Sequence, residues 1–237
     1  MKEKRIRFES YDFSFDGSIR TSSILRRLQQ IAQDDLDAFG IHYNDLKARG
    51  IAFVISRMAL SFQRPVPGEK DLSLATAANP VRGITFPRTF RLWDENGAIL
   101  CAKSHWALID LEKRSLVRPS ALGTAVPTDA DLAPDLVPAR LVAPKDTAPQ
   151  WTDTRRVYPS MLDRNGHLNN CNYADLACDL LPPETFTAGE IHIAYQHEAL
   201  VDQNLILDGF DVPEGRLVVG RFPDEDKICF YYQVRKR

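Results

Sequence analysis

The sequence predicts an α+β protein in which one helix lies across a curved antiparallel sheet, and this arrangement occurs twice. Two observations carry that expectation. Each half of the chain runs strand, polar turn, one apolar-faced helix, then several strands. Between the halves, from Pro119 to Pro149, six prolines (119, 127, 134, 138, 144 and 149) interrupt the pattern. A sheet with one apolar face needs a single long apolar helix to cover it, and a Pro-rich stretch reads as a linker or an extended covering segment.

In the first half, Arg5 to Phe15 alternates in places and reads as a strand, with Asp16-Gly17 as punctuation. Thr21, Ser22 and Ser23 are candidate N-caps. Leu25, Leu28, Ala32, Leu36 and Phe39 then recur at helical spacing and give one apolar face, with Gly40 as the stop. A short helix near Asn44–Arg49 closes at Gly50. Strands are expected at Ile51–Arg64, Asp71–Ala78, Ile84–Trp93 and Ile99–Leu111, separated by Pro67-Gly68, Asn79-Pro80 and Asn96-Gly97. In the second half Arg155–Pro159 reads as a short strand and Asp163–Asn170 as a polar turn. Tyr173–Leu181 reads as a helix stopped by Pro182-Pro183. Strands follow at Glu190–Leu200, Asn204–Val212, Gly215–Arg221 and Lys227–Val234. The domain expectation is therefore 1–125, a Pro-rich linker over 126–150, and 151–237.

Composition narrows the function classes. The chain has 237 residues, 44% hydrophobic and 26% charged, with a formal net charge of -2. Nothing in that balance asks for nucleic acid. The charged start, Met1 to Phe8, lacks the apolar core of a signal peptide, and no apolar run approaches the ~20 residues that cross a bilayer. Four cysteines without a CxxC pair argue against a disulfide framework or a zinc site. The expectation is a cytoplasmic protein with no metal, no cofactor and no membrane insertion. His192 and His197 fall on opposite faces of a strand, and with His42 and His105 they read as structural or surface residues.

The segment richest in chemistry is Asp163-Arg-Asn165-Gly-His167-Leu-Asn169-Asn170-Cys-Asn-Tyr173. A polar loop that caps a helix is the plain reading, with Asn169 or Asn170 as cap. Packed polar groups at a helix N-terminus can also move protons and polarise a carbonyl. The pattern Asp163-x-Asn165-x-His167-x-Asn169-Asn170-x-x-Tyr173 resembles the signature of the acyl-acyl carrier protein thioesterases. Gly50–Met58, Trp106–Asp110 with Arg118-Pro119, and Glu190–Glu198 also resemble parts of that family. The resemblance spans nearly the whole chain.

It implies two hotdog domains in tandem, the first shaping an acyl pocket and the second catalytic. It implies hydrolysis of fatty acyl-acyl carrier protein, with an acyl-CoA thioesterase or a non-catalytic acyl-binding protein as alternatives. Carried over position by position, Asp163, Asn165, His167 and Glu198 are the catalytic candidates. Phe53, Met58, Asn169 and Asn170 are the substrate-binding candidates. Glu198 or Asp163 would act as general base on water. Many plant members carry Cys after that Glu; Ala199 stands here, so a cysteine nucleophile is impossible at that position. Strict alternation sets Glu190, His192, Gln196 and Glu198 on one face of their strand. Glu198 then points away from the helix unless a bulge or strand end intervenes. The implied partner is acyl carrier protein, which basic clusters such as Arg26-Arg27 and Arg155-Arg156 could steer. Monomer and homodimer are both open.

Overall fold

The computed structural model describes residues 1–181, 189–223, 225 and 227–236. Its elements are β1 (Lys2–Arg7), α1 (Thr21–Ala38), α2 (Tyr43–Ala48), β2 (Ile51–Phe62), β3 (Asp71–Ala78), β4 (Phe86–Asp94), β5 (Gly97–Asp110), β6 (Ser115–Val117), β7 (Trp151–Arg156), α3 (Asn172–Leu180), β8 (Glu190–Tyr195), β9 (Asn204–Val212), β10 (Gly215–Arg221) and β11 (Ile228–Arg235). Two compact units result: Met1–Ser10 with Arg27–Pro138, and Tyr11–Arg26 with Ala139–Arg237.

In the first unit the strands follow the order β1-β3-β4-β5-β2, all antiparallel, with β6 beside β5. In the second the order is β7-β9-β10-β11-β8, again antiparallel. The two orders are the same pattern written twice. The expected α+β class with antiparallel sheets is what the structure has.

Helix α1 follows from its spacing. Leu25, Leu28, Ile31 and Ala32 are each at most 1% exposed, and each large aliphatic buried this way contributes roughly 1.5–3 kcal/mol. The helix ends before Gly40, which takes φ +71°. Phe39, the last residue of the expected face, lies beyond the helix end and is 39% exposed. The core of the first unit gathers Ile41, Leu46, Ile51, Phe86, Leu108 and Leu122. That of the second includes Leu141, Ala194, Phe210, Leu217 and Tyr231. Gly220 pairs with Phe230 across β10 and β11, and a Cβ there would stand 2.1 Å from the Phe230 ring. The missing side chain lets that ring lie over the neighbouring strand.

Several boundaries differ from expectation. The first strand stops at Arg7; a 3₁₀ turn at Ser10–Asp12 follows, and Tyr11 and Phe15 face solvent. Strand β7 begins at Trp151, earlier than expected, because Trp151 packs against Gly209 of its partner strand while alternate residues stay exposed. Strand β6 is three residues long and gives no periodic signal. The Pro182-Pro183 stop lies outside the described residues.

Residues 126–150 hold no helix or strand, yet they cover both sheets. In the first unit Leu132 N–H donates to Thr89 Oγ1 (3.1 Å), Lys103 Nζ meets Asp131 (2.8 Å), and Ala133 and Leu136 pack on Ala59. In the second unit Ala139 N–H donates to His192 Nδ1 (3.1 Å), and Leu141 joins the core. Among the described residues no helix is long and apolar enough to cross a membrane.

Candidate active site

The candidate loop is a tight turn ahead of α3, and its own polar groups build it. Leu162 bridges to Leu168. Within that frame Asp163 N–H donates to the His167 carbonyl (2.7 Å) and Gly166 N–H to the Asp163 carbonyl (3.1 Å). Gly166 takes φ +81°, a conformation that glycine adopts without strain. Asp163 Oδ1 accepts the backbone N–H of Asn165 (2.8 Å) and of His167 (3.1 Å), and Asn165 Nδ2 lies 3.4 Å from Oδ2. Much of the acceptor capacity of Asp163 is thus spent on holding the loop.

The far side of the loop is tied to the residues after β8. Strand β8 ends at Tyr195. The next two N–H groups, of Gln196 and His197, both donate to the Cys229 carbonyl (2.9 and 3.0 Å). Two donors on one acceptor is bulge geometry, and it breaks the alternation. Glu198 is therefore not on the strand face that alternation assigned to it. Leu168 N–H donates to the Ala199 carbonyl (2.8 Å), and His167 bridges to Leu200. The result is contact between His167 Nε2 and Glu198 Oε2 at 3.3 Å, with side chains 29% and 37% exposed. Asp163, His167 and Glu198 are brought together by a loop and a strand end that lie far apart in sequence.

The remaining candidates fall elsewhere. Asn169 Oδ1 accepts Cys171 N–H (2.9 Å), so its side chain braces the entry to α3. The residue before the first helical turn is Cys171, which makes no side-chain cap, so neither Asn169 nor Asn170 stands at the cap position. Asn170 is half-buried, and its carbonyl accepts the Tyr195 hydroxyl (3.1 Å). Phe53 packs edge-to-face on Phe86 at 5.1 Å and lines a cavity of ≈ 90 Å³ in the first unit. Leu36, Ile41, Leu46 and Trp106 also line it. Met58 is 1% exposed in the core and is not among the lining residues.

Two supports were not assigned from sequence. The Tyr173 hydroxyl accepts Ala199 N–H (3.2 Å), which fixes the residue after Glu198. Tyr173 stacks edge-on with Phe230 and Tyr195, and burial pushes its phenol well above its ordinary value. Asn172 Nδ2 donates to the Met161 carbonyl (2.8 Å), while its Oδ1 accepts from Arg26 (2.8 Å). The signal for Tyr173 was available, since a buried tyrosine hydroxyl needs a partner. Burial also raises the Cys171 thiol to about 12, which makes it inert. Among the described residues no group of three or more His, Cys, Asp or Glu could hold a metal ion.

Residues 2–120 match the family model of the acyl-ACP thioesterase N-terminal domain. The chain belongs to the acyl-ACP thioesterase family. That match covers the half that holds the cavity. An acyl-ACP thioesterase from Bacteroides thetaiotaomicron superposes with a TM-score of 0.85 at 21% identity, covering 99% of this chain and 96% of that one. The 12:0-ACP thioesterase from Umbellularia californica superposes with a TM-score of 0.86 at 14% identity, covering 100% and 96%. These likenesses establish the shared hotdog-type fold over the whole length. No curated protein sequence matches the chain. Family membership implies thioester hydrolysis.

Proposed function

We propose that the protein hydrolyses the thioester of fatty acyl-acyl carrier protein to free fatty acid and carrier protein, with Glu198 as general base. The observation that carries this reading is the 3.3 Å contact between His167 Nε2 and Glu198 Oε2 at a half-exposed position. A carboxylate beside an imidazole can take a proton from water while the ring orients that water. Asp163 acts by positioning, because Oδ1 accepts the Asn165 and His167 N–H groups. Asn165, on the turn itself, orients water or donates to the developing oxyanion. Asn169 brings its loop to α3, and Asn170 contacts the acyl group's thioester end. Residues 1–125 shape the acyl pocket, where Phe53 meets the chain; 126–150 link the halves, and 151–237 carry the chemistry.

In the reaction, water oxygen bonds to the acyl carbon as its proton passes to Glu198. The tetrahedral intermediate then breaks its C–S bond, and the sulfur takes that proton. A thiolate leaves readily, so no strong acid is required.

The test is thiol release from dodecanoyl- and palmitoyl-acyl carrier protein and from the matching CoA esters. Glu198→Gln should lower kcat by about 10²–10⁴, and His167→Ala should lower it by a comparable factor. Wild-type turnover of the CoA esters alone would move the thiol partner to CoA. Full activity in Glu198→Gln would overturn the assignment of the base.

A further inference from the structure

Helix α3 begins just after the candidate loop, and the side chain of its first residue reaches back to the loop's entry. Asn172 Nδ2 donates to the Met161 carbonyl (2.8 Å). The same carbonyl accepts Asn169 N–H (3.0 Å). One carbonyl on the way into the loop is thus held by two groups on the way out.

The amide of Asn172 is oriented by Arg26, on α1. Arg26 Nη2 donates to Asn172 Oδ1 (2.8 Å). A guanidinium carries only donors, so it takes the amide oxygen and leaves the amide N–H groups for the Met161 carbonyl. Arg26 is itself held in place. Its Nη2 lies 3.7 Å from Asp175 Oδ2, and its Nη1 donates to Ser22 Oγ (3.4 Å). Asn172 and Asp175 are three residues apart on α3, so Arg26 grips one face of that helix.

The turn in the first half of the chain has the backbone of this arrangement without its side chains. Arg20 N–H donates to the Asp12 carbonyl (2.9 Å) and Ser23 N–H to the Arg20 carbonyl (3.0 Å). Asn169 N–H donates to the Met161 carbonyl and Asn172 N–H to the Asn169 carbonyl (2.8 Å) in the same way. Ser23 stands where Asn172 stands, and among the described residues its hydroxyl makes no hydrogen bond to the Asp12 carbonyl. The turn therefore forms without an amide brace. The brace is present on the turn that brings Asp163, His167 and Glu198 together.

We propose that Arg26 is a positioning residue for the candidate loop: by fixing the Asn172 amide it holds Met161, and with it the Asp163–His167 turn, in the place that sets His167 against Glu198. Its consequence for turnover rests on the thioesterase reading above; the brace itself does not. Arg26 then acts on the reaction through the loop and not by steering the carrier protein.

The experiment measures kcat and KM on dodecanoyl-acyl carrier protein and dodecanoyl-CoA, the melting temperature and the amide exchange of Leu168, for wild type, Asn172→Asp, Arg26→Met and Arg26→Lys. Asn172→Asp keeps an acceptor for Arg26, now charged, and places a carboxylate in the first turn of α3, where the helix favours it. Its other oxygen faces the Met161 carbonyl, acceptor against acceptor. Its melting temperature should stay close to that of wild type. Its kcat should fall about tenfold or more on every ester that wild type cleaves, with KM unchanged, because small displacements of reacting groups are costly. Arg26→Met should lower kcat about threefold to tenfold, the effect of one hydrogen bond. Arg26→Lys, which again brings only donors, should recover part of that loss. Leu168 N–H, bonded to the Ala199 carbonyl, should exchange faster in Asn172→Asp and Arg26→Met than in wild type. Wild-type kcat in either of those variants would overturn the inference. So would a rise in KM confined to the carrier protein ester at unchanged kcat, the mark of a steering charge. If wild type cleaved no ester, the thioesterase reading would fall, and Leu168 exchange would decide the brace alone. Faster exchange in Arg26→Met would keep it, and unchanged exchange would overturn it.

Discussion

At the scale of single residues, the cysteines show how burial decides chemistry. Cys171 sits inside the candidate loop, two residues before Tyr173, and a reactive thiol there would offer a nucleophile. It is fully buried, as is Cys229, and burial raises each thiol to about 12. At pH 8 such a group is roughly one part in ten thousand thiolate, and the thiolate is the species that reacts. Iodoacetamide at pH 8 should therefore leave Cys171 and Cys229 unmodified in the folded protein and label both after unfolding, as read by peptide mass mapping. Rapid labelling of Cys171 in the native state would contradict the placement of the loop. The same residue scale shows what sequence could resolve. Asp163, Asn165 and His167 stood out because polar side chains rarely crowd so closely before a helix. Glu198, the partner of His167, stood out only through the family resemblance, not through the local pattern. Strict alternation through Glu190 and His192 points Glu198 away unless a bulge or strand end intervenes, and both do: β8 ends at Tyr195 and a bulge follows. Two consecutive N–H groups sharing the Cys229 carbonyl leave no mark in side-chain pattern.

At the scale of elements, His192 couples the extended segment after Pro138 to β8. Its Nδ1 accepts Ala139 N–H (3.1 Å), so the proton sits on Nε2, 3.0 Å from Glu190 Oε2. Burial is the largest influence on the ring and lowers it below its ordinary value of 6.5; Glu190 acts in the opposite sense, and Arg235 adds to the lowering. The folded protein thus binds fewer protons at this site than the unfolded chain does. Stability from His192 is complete above about 6.5 and falls as pH drops below that toward the depressed folded value. A thermal melt series from pH 7.5 to pH 5 should show Tm declining over this window, and His192→Gln should flatten the decline. Parallel curves for the two proteins would show that His192 is not the group responsible. The prolines marked 126–150 as irregular backbone, but proline content cannot tell a loose tether from a fitted cover. That distinction rests on long-range bonds such as Leu132 to Thr89 and Ala139 to His192.

At the scale of the whole chain, the two halves share more than an order of elements. Strands β1 and β7, the 3₁₀ turns at Ser10–Asp12 and Pro159–Met161, and the bridges Phe13–Ile19 and Leu162–Leu168 are separated by one constant offset along the chain. Gly17 and Gly166 share the offset and take φ +80° and +81°. Ser14 N–H donates to the Ser18 carbonyl (2.8 Å) as Asp163 N–H donates to that of His167 (2.7 Å). The repeat was visible in the sequence only as an alternation of strands and helix, because the loop residues had changed identity while the turn had not. Ser14, Asp16 and Ser18 stand where Asp163, Asn165 and His167 stand in the second copy. Neither serine carries a group that titrates near neutral pH, and a serine at position 18 is too short to span the 3.3 Å contact that His167 makes. On the mechanism proposed above, the same turn is a scaffold in the first copy and a reaction site in the second. Replacing Ser14 and Ser18 together by alanine should leave kcat on acyl-acyl carrier protein close to that of wild type, since neither serine enters the proposed reaction. His167→Ala, at the equivalent turn position of the second copy, should lose most of the activity. If the serine pair proved as damaging as His167→Ala in a chain with an unchanged melting temperature, both turns would take part in the reaction, and the second copy would not be the sole site.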